Sequence, residues 1–177
     1  MIIDGRARVL GDDVNTDYII SSRRKRETID ATALAAFLLE GVDPAFAASV
    51  RPGDVIVAGR NFGCGSAMEV AATVILAAGI RAVVASSFAR SFHRNAINNG
   101  LLVLVADTSG VREGAPVRMV VADDDARFED VAGGVVRPAA PLPPIMRDIL
   151  AAGGLVGYLK ANGRFCEHPP REAPCRP

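Results

Sequence analysis

Gly59-Arg60-Asn61-Phe62-Gly63-Cys64-Gly65-Ser66-Ala67-Met68-Glu69 is the stretch in which residue type and spacing could do chemistry. Its glycines fall between a predicted strand and a predicted helix N-terminus, where free N–H groups and the helix dipole attract negative charge. Two phosphate-binding loops are excluded by spacing. A Walker loop ends in Gly-Lys-Ser/Thr, but Gly65 directly precedes Ser66 and no Lys is present; a dinucleotide loop needs a third glycine where Met68 stands. What remains is Ser66. On spacing alone it either caps the helix, with Glu69 completing a capping box, or acts as a base or nucleophile. A serine hydroxyl is far too weak an acid to ionise unaided near neutral pH. An alkoxide would need the helix-end dipole, nearby N–H donors and a cation. The glycines favour that role, because they let a ligand approach the backbone closely. A Ser-His-Asp triad is not supported, since neither His93 nor His168 lies in a recognisable motif.

Other chemistries are excluded by composition. The three cysteines, Cys64, Cys166 and Cys175, are too few for a disulfide framework and lack CxxC spacing. With two histidines besides, no metal ligands and no cofactor are assigned to this chain. The 20 Lys and Arg are balanced by 20 Asp and Glu, so the basic excess expected of a nucleic-acid binder is missing. The longest apolar run, Val70 to Gly79, is shorter than the roughly 20 residues that cross a bilayer. No signal peptide is read at the N-terminus, where Asp4 and Arg6 interrupt the apolar residues. These features predict a cytoplasmic protein that binds neither nucleic acid nor membrane.

The elements that must position Ser66 follow from periodicity. Arg6 to Leu10 reads as a strand closed by Gly11-Asp12-Asp13, and Asn15-Thr16-Asp17 is a polar cluster beyond it. Ser21 to Glu27 is the one dense run of charge. Thr28 to Leu39 reads as a helix with Leu34, Phe37 and Leu38 on one stripe. Strands at Val55–Ala58, Arg81–Ala85 and Leu101–Val105 alternate with helices predicted over Ser66–Ala78 and Ser87–Asn98, each stopped by a glycine. That alternation predicts parallel crossovers. Val117–Val121, Ala126–Asp130 and Val135–Arg137 read as short antiparallel strands. Pro143 or Pro144 opens a last helix through Leu150, and Gly153-Gly154 precedes a shorter turn ending near Lys160. The expected architecture is one mixed α/β domain over residues 1–160, with residues 161–177 a loose, Pro- and Arg-rich tail.

Four motifs, in order, carry a resemblance. Asp13-Val14-Asn15-Thr16-Asp17, Gly63-Cys64-Gly65-Ser66, Ser87-Phe88-Ala89-Arg90 and Arg94-Asn95-Ala96-Ile97-Asn98-Asn99-Gly100 resemble the small subunits of 3-isopropylmalate dehydratases. Those subunits are similar to the swivelling C-terminal domain of aconitases. The resemblance runs from about Gly11 to Lys160. It implies a three-layer α/β swivelling domain that works with a separate large subunit. The family's large subunit carries a 4Fe-4S cluster, which acts as a Lewis acid on the hydroxyl of a 2-hydroxy diacid such as isopropylmalate. The family's serine alkoxide takes the carbon-bound proton, and Ser66 matches it. The resemblance therefore favours Ser66 as a base, with Gly65, Ala67 and Met68 against the substrate. Asn15, Thr16, Asp17, Cys64 and Glu69 would support the site, Cys64 as a small packed residue.

The departures are as informative as the matches. The family's serine is usually followed by Ser-Arg-Glu-His, whereas here Ala67-Met68-Glu69-Val70 follow. Ala67 and Met68 cannot bind a substrate carboxylate as Ser and Arg do, and losing a bidentate guanidinium removes a strong charge-assisted contact. Three outcomes stay open: the substrate lacks that carboxylate, another cation replaces the clamp, or activity is lost. The candidate replacement is Arg23-Arg24-Lys25-Arg26, where the family usually reads Arg-Tyr-Leu-Arg/Lys and selects the substrate's side group. Arg24 and Lys25 replace an aromatic and an aliphatic residue, which suits a more polar substrate; the other reading is a solvated, mobile loop. The expected protein is thus the small subunit of an aconitase-type hydro-lyase, active only with its large subunit. The alternatives are a homoaconitase-like or dimethylmalate-type subunit, or a noncatalytic regulatory subunit of the same fold. Arg90, Arg94 and Asn95 match family positions, and His93 reads as packing or surface.

Overall fold

The computed structural model describes residues 1–123 and 125–165. Seven strands form one sheet in the order β4-β3-β2-β1-β5-β6-β7. β1 (Ile2–Val9), β2 (Val55–Ala58), β3 (Ala82–Ala85) and β4 (Leu102–Val105) are parallel; β5 (Pro116–Val121), β6 (Ala126–Asp130) and β7 (Val135–Pro138) continue the sheet antiparallel. β1 belongs to both halves. Its Ile2–Arg6 segment pairs with β5 and its Ala7–Val9 segment with β2. The strand therefore begins earlier than periodicity predicted, because pairing with β5, more than 100 residues onward in the chain, recruits Ile2 to Gly5.

Every residue of β2 and of β3 is buried. Successive side chains alternate between faces, so both faces of the parallel half must be covered. One cover is helical. α5 (Val70–Ala77) and α6 (Arg90–Asn98) are the β2–β3 and β3–β4 crossovers and touch each other, with α3 (Ala31–Ala35) against α5 and α7 (Pro144–Ala151) against α6. Two crossovers of one hand, moving the same way along the sheet, place both helices on one face. The other cover is the antiparallel half, which folds back so that Ala106, just past β4, bridges Ala139, just past β7. The Ala140 N–H donates to the Val105 carbonyl at 2.9 Å. The result is the expected three layers.

Several boundaries differ from expectation. The predicted helix over Thr28–Leu39 is only α3, followed by turns that bury Leu38 and Leu39 and hold Leu39 at φ +58°. Gly153-Gly154 leads not to a turn but to an eight-residue helix, α8 (Leu155–Asn162), which runs past residue 160. The remaining short helices are α1 (Thr16–Ile19), α2 (Ser22–Glu27) and α4 (Phe46–Ser49). Cys166, His168 and Cys175, with most of the expected tail, lie outside the described residues.

A buried ion network ties the start of the sheet together. Arg6 donates from Nε and Nη2 to the two oxygens of Asp54 at 3.0 and 2.7 Å, and Arg8 Nη1 stands 3.5 Å from Asp54. Arg8 also donates to Glu113 at 2.7 Å and lies over the Phe46 ring at 4.3 Å. Burial alone would raise the Asp54 carboxyl, but the Arg6 and Arg51 hydrogen bonds and the two guanidinium charges outweigh it and hold it below the usual carboxylate range.

Candidate active site

Three loops leave the carboxyl ends of β1, β2 and β3 and are zipped together. The Asp13 N–H donates to the Arg60 carbonyl, the Gly63 N–H to Val14 and the Thr16 N–H to Cys64, each at 2.8 Å. Between the second and third loops, the Phe62 N–H donates to Ser87 at 3.0 Å and the Ala89 N–H to Phe62 at 2.9 Å. Phe62, Phe88 and Phe92 pack beneath, with Phe62 edge-on to the other two rings. In open α/β sheets the crevice beyond the carboxyl strand ends is where ligands bind.

Ser66 stands in the middle loop and is exposed. It does not cap a helix. α5 starts at Val70, its N-cap is Glu69, and Glu69 makes no capping bond, so the expected helix start and capping box are both corrected. The reason is tertiary. A Ser66 at the cap would give its carbonyl to the helix's first turn, but the buried Thr16 hydroxyl donates to that carbonyl at 2.9 Å. Ser66 is thereby held to the β1 loop, three residues ahead of the helix cap. The dipole fades within the first turn, so it acts on Ser66 less than the sequence suggested. Its hydroxyl makes no hydrogen bond to any described residue, nor do the N–H groups of Ser66, Ala67 and Met68.

Gly65 is required by geometry. It sits at φ +92°, and a Cβ there would fall 2.5 Å from Asn15 Oδ1. Asn15 in turn caps α1 by accepting the Asp17 N–H at 2.8 Å, and Asp17 accepts the Ser22 hydroxyl at 2.6 Å. Asn15, Thr16 and Asp17 thus form a chain of contacts linking the serine loop to α2. Cys64 is half-buried, with its Sγ 3.5 Å from the Asp13 carbonyl.

The charged run is a helix, α2, rather than a loop, and its four cations part company. Ser21 caps it, and none of its residues is buried. Arg24 is spent on the scaffold: it makes a bidentate pair with Glu40 at 2.9 Å, reaches Glu27, and lies 3.7 Å over the Phe37 ring. That pairing holds the Glu40 carboxyl below its ordinary range. Arg23 is 78% exposed and only loosely paired with Glu27 at 3.6 Å, and Arg26 is exposed. Lys25 alone turns toward the serine loop. Its Nζ lies 3.1 Å from Met68 Sδ, and Met68 is 5% exposed.

Lys25, Ala67, Met68 and Glu69 line a cleft of about 520 Å³ with Ile29, Ala31, Val70 and Thr73. Ile29 and Thr73 have no signal in the sequence; Ile29, 93% exposed, follows the charged run with no periodicity to mark it. Glu40 and Phe37, which fix Arg24, were also missed, because sixteen and thirteen residues of separation carry no local pattern. Arg90 and Arg94 gather elsewhere, around a second cleft of about 540 Å³ with Ser87, Phe88, His93 and Val105. Burial lowers the His93 pKa, so its ring is neutral at pH 7. Asn95 serves α6 itself, its carbonyl accepting from the Asn99 side chain at 2.9 Å.

Among the described residues no group of three His, Cys, Asp or Glu could hold a metal ion, and no helix is long and apolar enough to cross a membrane. Fold and site together define a small α/β domain that presents an exposed serine loop at the carboxyl ends of its parallel strands. The comparisons agree on what this is. The family model for the aconitase C-terminal domain matches residues 23–109. The chain is 44% identical over 161 residues to the 3-isopropylmalate dehydratase small subunit of Moorella thermoacetica, covering 90% of this chain and 95% of that one. It is 46% identical over 160 residues to the methanogen homoaconitase small subunit of Methanocaldococcus jannaschii, covering 90% and 92%. A crystal structure of 3-isopropylmalate dehydratase from Methanocaldococcus jannaschii superposes with a TM-score of 0.86 at 45% identity, covering 92% of this chain and 96% of that one. The chain belongs to the aconitase C-terminal domain family, as a small subunit of the isopropylmalate dehydratase and homoaconitase type.

Proposed function

We propose that this chain supplies the serine base of a cytoplasmic hydro-lyase that removes water from, and returns it to, a 2-hydroxy diacid such as isopropylmalate. The observation that carries the reading is Ser66: exposed, its hydroxyl unpartnered, its backbone fixed by Thr16 at the carboxyl ends of the strands. As alkoxide, Ser66 Oγ takes the proton from the carbon next to the carbinol. The C–H electron pair becomes the new double bond, and the C–O bond breaks with its pair on the departing hydroxide. The unspent N–H groups of Ser66, Ala67 and Met68 are the donors available to an oxyanion at this loop. This reading assigns the 4Fe-4S cluster, which would give Lewis-acid assistance to the leaving hydroxyl, to a large subunit. Residues 1–160, with the end of α8 at Asn162, would be the swivelling unit. A homoaconitase-type substrate is the second reading, compatible with the 46% identity to the methanogen subunit and with Lys25 on the cleft wall.

The test is co-expression with the large subunit and turnover of 3-isopropylmalate, 2,3-dimethylmalate and homocitrate, followed by absorbance of the unsaturated product. Ser66→Ala should lower turnover on the order of 10²–10⁴-fold while the complex still assembles. Unchanged turnover would remove Ser66 as the base. An intact, cluster-loaded complex that turns over none of the three would favour the noncatalytic alternative.

A further inference from the structure

We infer that the cleft around Arg90 and Arg94 is a docking face for an acidic segment of the large subunit, beside the serine loop and on the same edge of the sheet. The inference rests on the reading of this chain as one half of a two-subunit hydro-lyase and names the surface through which the halves would meet.

Position comes first. Ser87 follows β3 and Val105 ends β4, so the cleft opens at the carboxyl ends of the strands, as the serine loop does. Cleft and loop are fixed to each other. The Asn61 N–H donates to the Ser87 hydroxyl at 2.8 Å, adding to the backbone bonds that join Phe62 to Ser87 and Ala89. Phe88, on the cleft wall, meets Phe62 edge-on with 6.0 Å between ring centres. A serine that acts on a substrate held by another chain needs that chain to cover this edge. β3 is the neighbour of β2, so a partner seated over Ser66 meets this cleft next along the strand ends.

Charge decides the partner's chemistry. Arg90 and Arg94 stand one helical turn apart on α6, and both are exposed. Neither forms an ion pair with a described residue; Arg94 Nε reaches the Arg90 carbonyl at 3.4 Å. No Asp or Glu lines the cleft. By contrast, Arg60 on the adjoining loop is neutralised by Asp12 at 2.8 Å. Two like charges at this spacing repel, and an acid placed between them relieves that. Phe88, Val105 and the neutral His93 supply the apolar remainder of a cleft of about 540 Å³. Arginine and aromatic rings about an open pocket are the composition of an interface centre. A free small anion gains little from two solvated guanidiniums. An acid on a protein surface that also covers Phe88 and Val105 desolvates the pair and gains more.

Mass photometry of the purified two-subunit complex over a dilution series, at pH 7, reads its dissociation constant. Arg90→Ala combined with Arg94→Ala should raise that constant about 10- to 100-fold. Raising NaCl from about 50 to about 500 mM should weaken the native complex more than the double variant. Arg81→Ala, a free and exposed arginine at the amino end of β3, should stay within about threefold of native. Arg94→Lys keeps the charge and adds an amine, so a carbodiimide should join position 94 by an amide bond to an Asp or Glu of the large subunit, located by mass spectrometry. The double variant on its own should melt with the native chain, because both side chains are exposed. A lowered melting temperature hands the decision to the crosslink. Unchanged dissociation in a double variant that melts with the native chain overturns the inference, as does an intact complex that yields no crosslink from position 94. Turnover that depends on Ser66 in that same complex would leave the proposed reaction standing. A complex that needs both arginines to assemble but turns over none of the diacids would support this docking face and overturn the reaction.

Discussion

Thr16→Val isolates the contact that sets the serine in place. Thr16 is 1% exposed, and its hydroxyl donates to the Ser66 carbonyl at 2.9 Å. Valine has the same shape, so no cavity opens, and the backbone bond from the Thr16 N–H to Cys64 is kept. What is lost is one hydrogen bond, about 0.5–1.5 kcal/mol net. The full penalty of an orphaned acceptor does not apply, because Ser66 is exposed and its carbonyl can turn to water. For a chain of 177 residues this is a fall in Tm of roughly 1–6 °C. The effect on turnover should be larger. A base displaced by about 1 Å can lose 10²-fold, and Ser66 has no other side-chain contact holding its backbone. Thr16→Ser provides the contrast: it keeps the hydroxyl and loses a buried methyl, so it should lose comparable stability but keep turnover within a few-fold. Thermal melts and steady-state rates on the assembled complex read both quantities. Equal turnover in the Val and Ser variants would refute the positioning role.

Two further outcomes follow from the same geometry. Gly65→Ala places a Cβ against the Asn15 amide at a residue held at φ +92°, so it should destabilise the fold by about 1–3 kcal/mol in urea titration. A loss no larger than that of Gly11→Ala, where a Cβ meets nothing within 4 Å, would contradict it. Asp54 has its folded-state pKa depressed, so its contribution is present above the ordinary carboxylate value of about 4 and is lost as pH falls through the depressed one. Asp54→Asn should therefore lower the urea midpoint at pH 7 and flatten its decline between about pH 5 and 2. A parallel decline in both proteins would mean that other carboxylates govern acid unfolding.

The parallel half was legible in the sequence because its rules are local. Val55–Ala58, Ala82–Ala85 and Leu102–Val105 are short continuous apolar runs, each preceded within three residues by a glycine, and the segments between them are long enough for helical crossovers. The antiparallel strands were marked the same way, by alternation and acidic or glycine turns. Gly63-Cys64-Gly65-Ser66 singled out the serine because glycines at a strand end are unusual without a reason in backbone geometry, and Gly65 has one.

What sequence could not decide was how far each signal would be overridden by a distant partner. Ser66 and Glu69 have capping-box spacing, yet Thr16, fifty residues earlier, takes the serine carbonyl and the helix starts late. Arg23 to Arg26 look alike in one dimension. Glu40, Phe37 and Met68 separate them into a strut, an exposed pair and one ammonium facing a cleft. The physical reason is range. Propensity, periodicity and turn chemistry act over a few residues and are written in order along the chain. A carbonyl's donor, an arginine's counterion and a lysine's neighbour are chosen by what the packed sheet brings alongside, and only the folded chain fixes that.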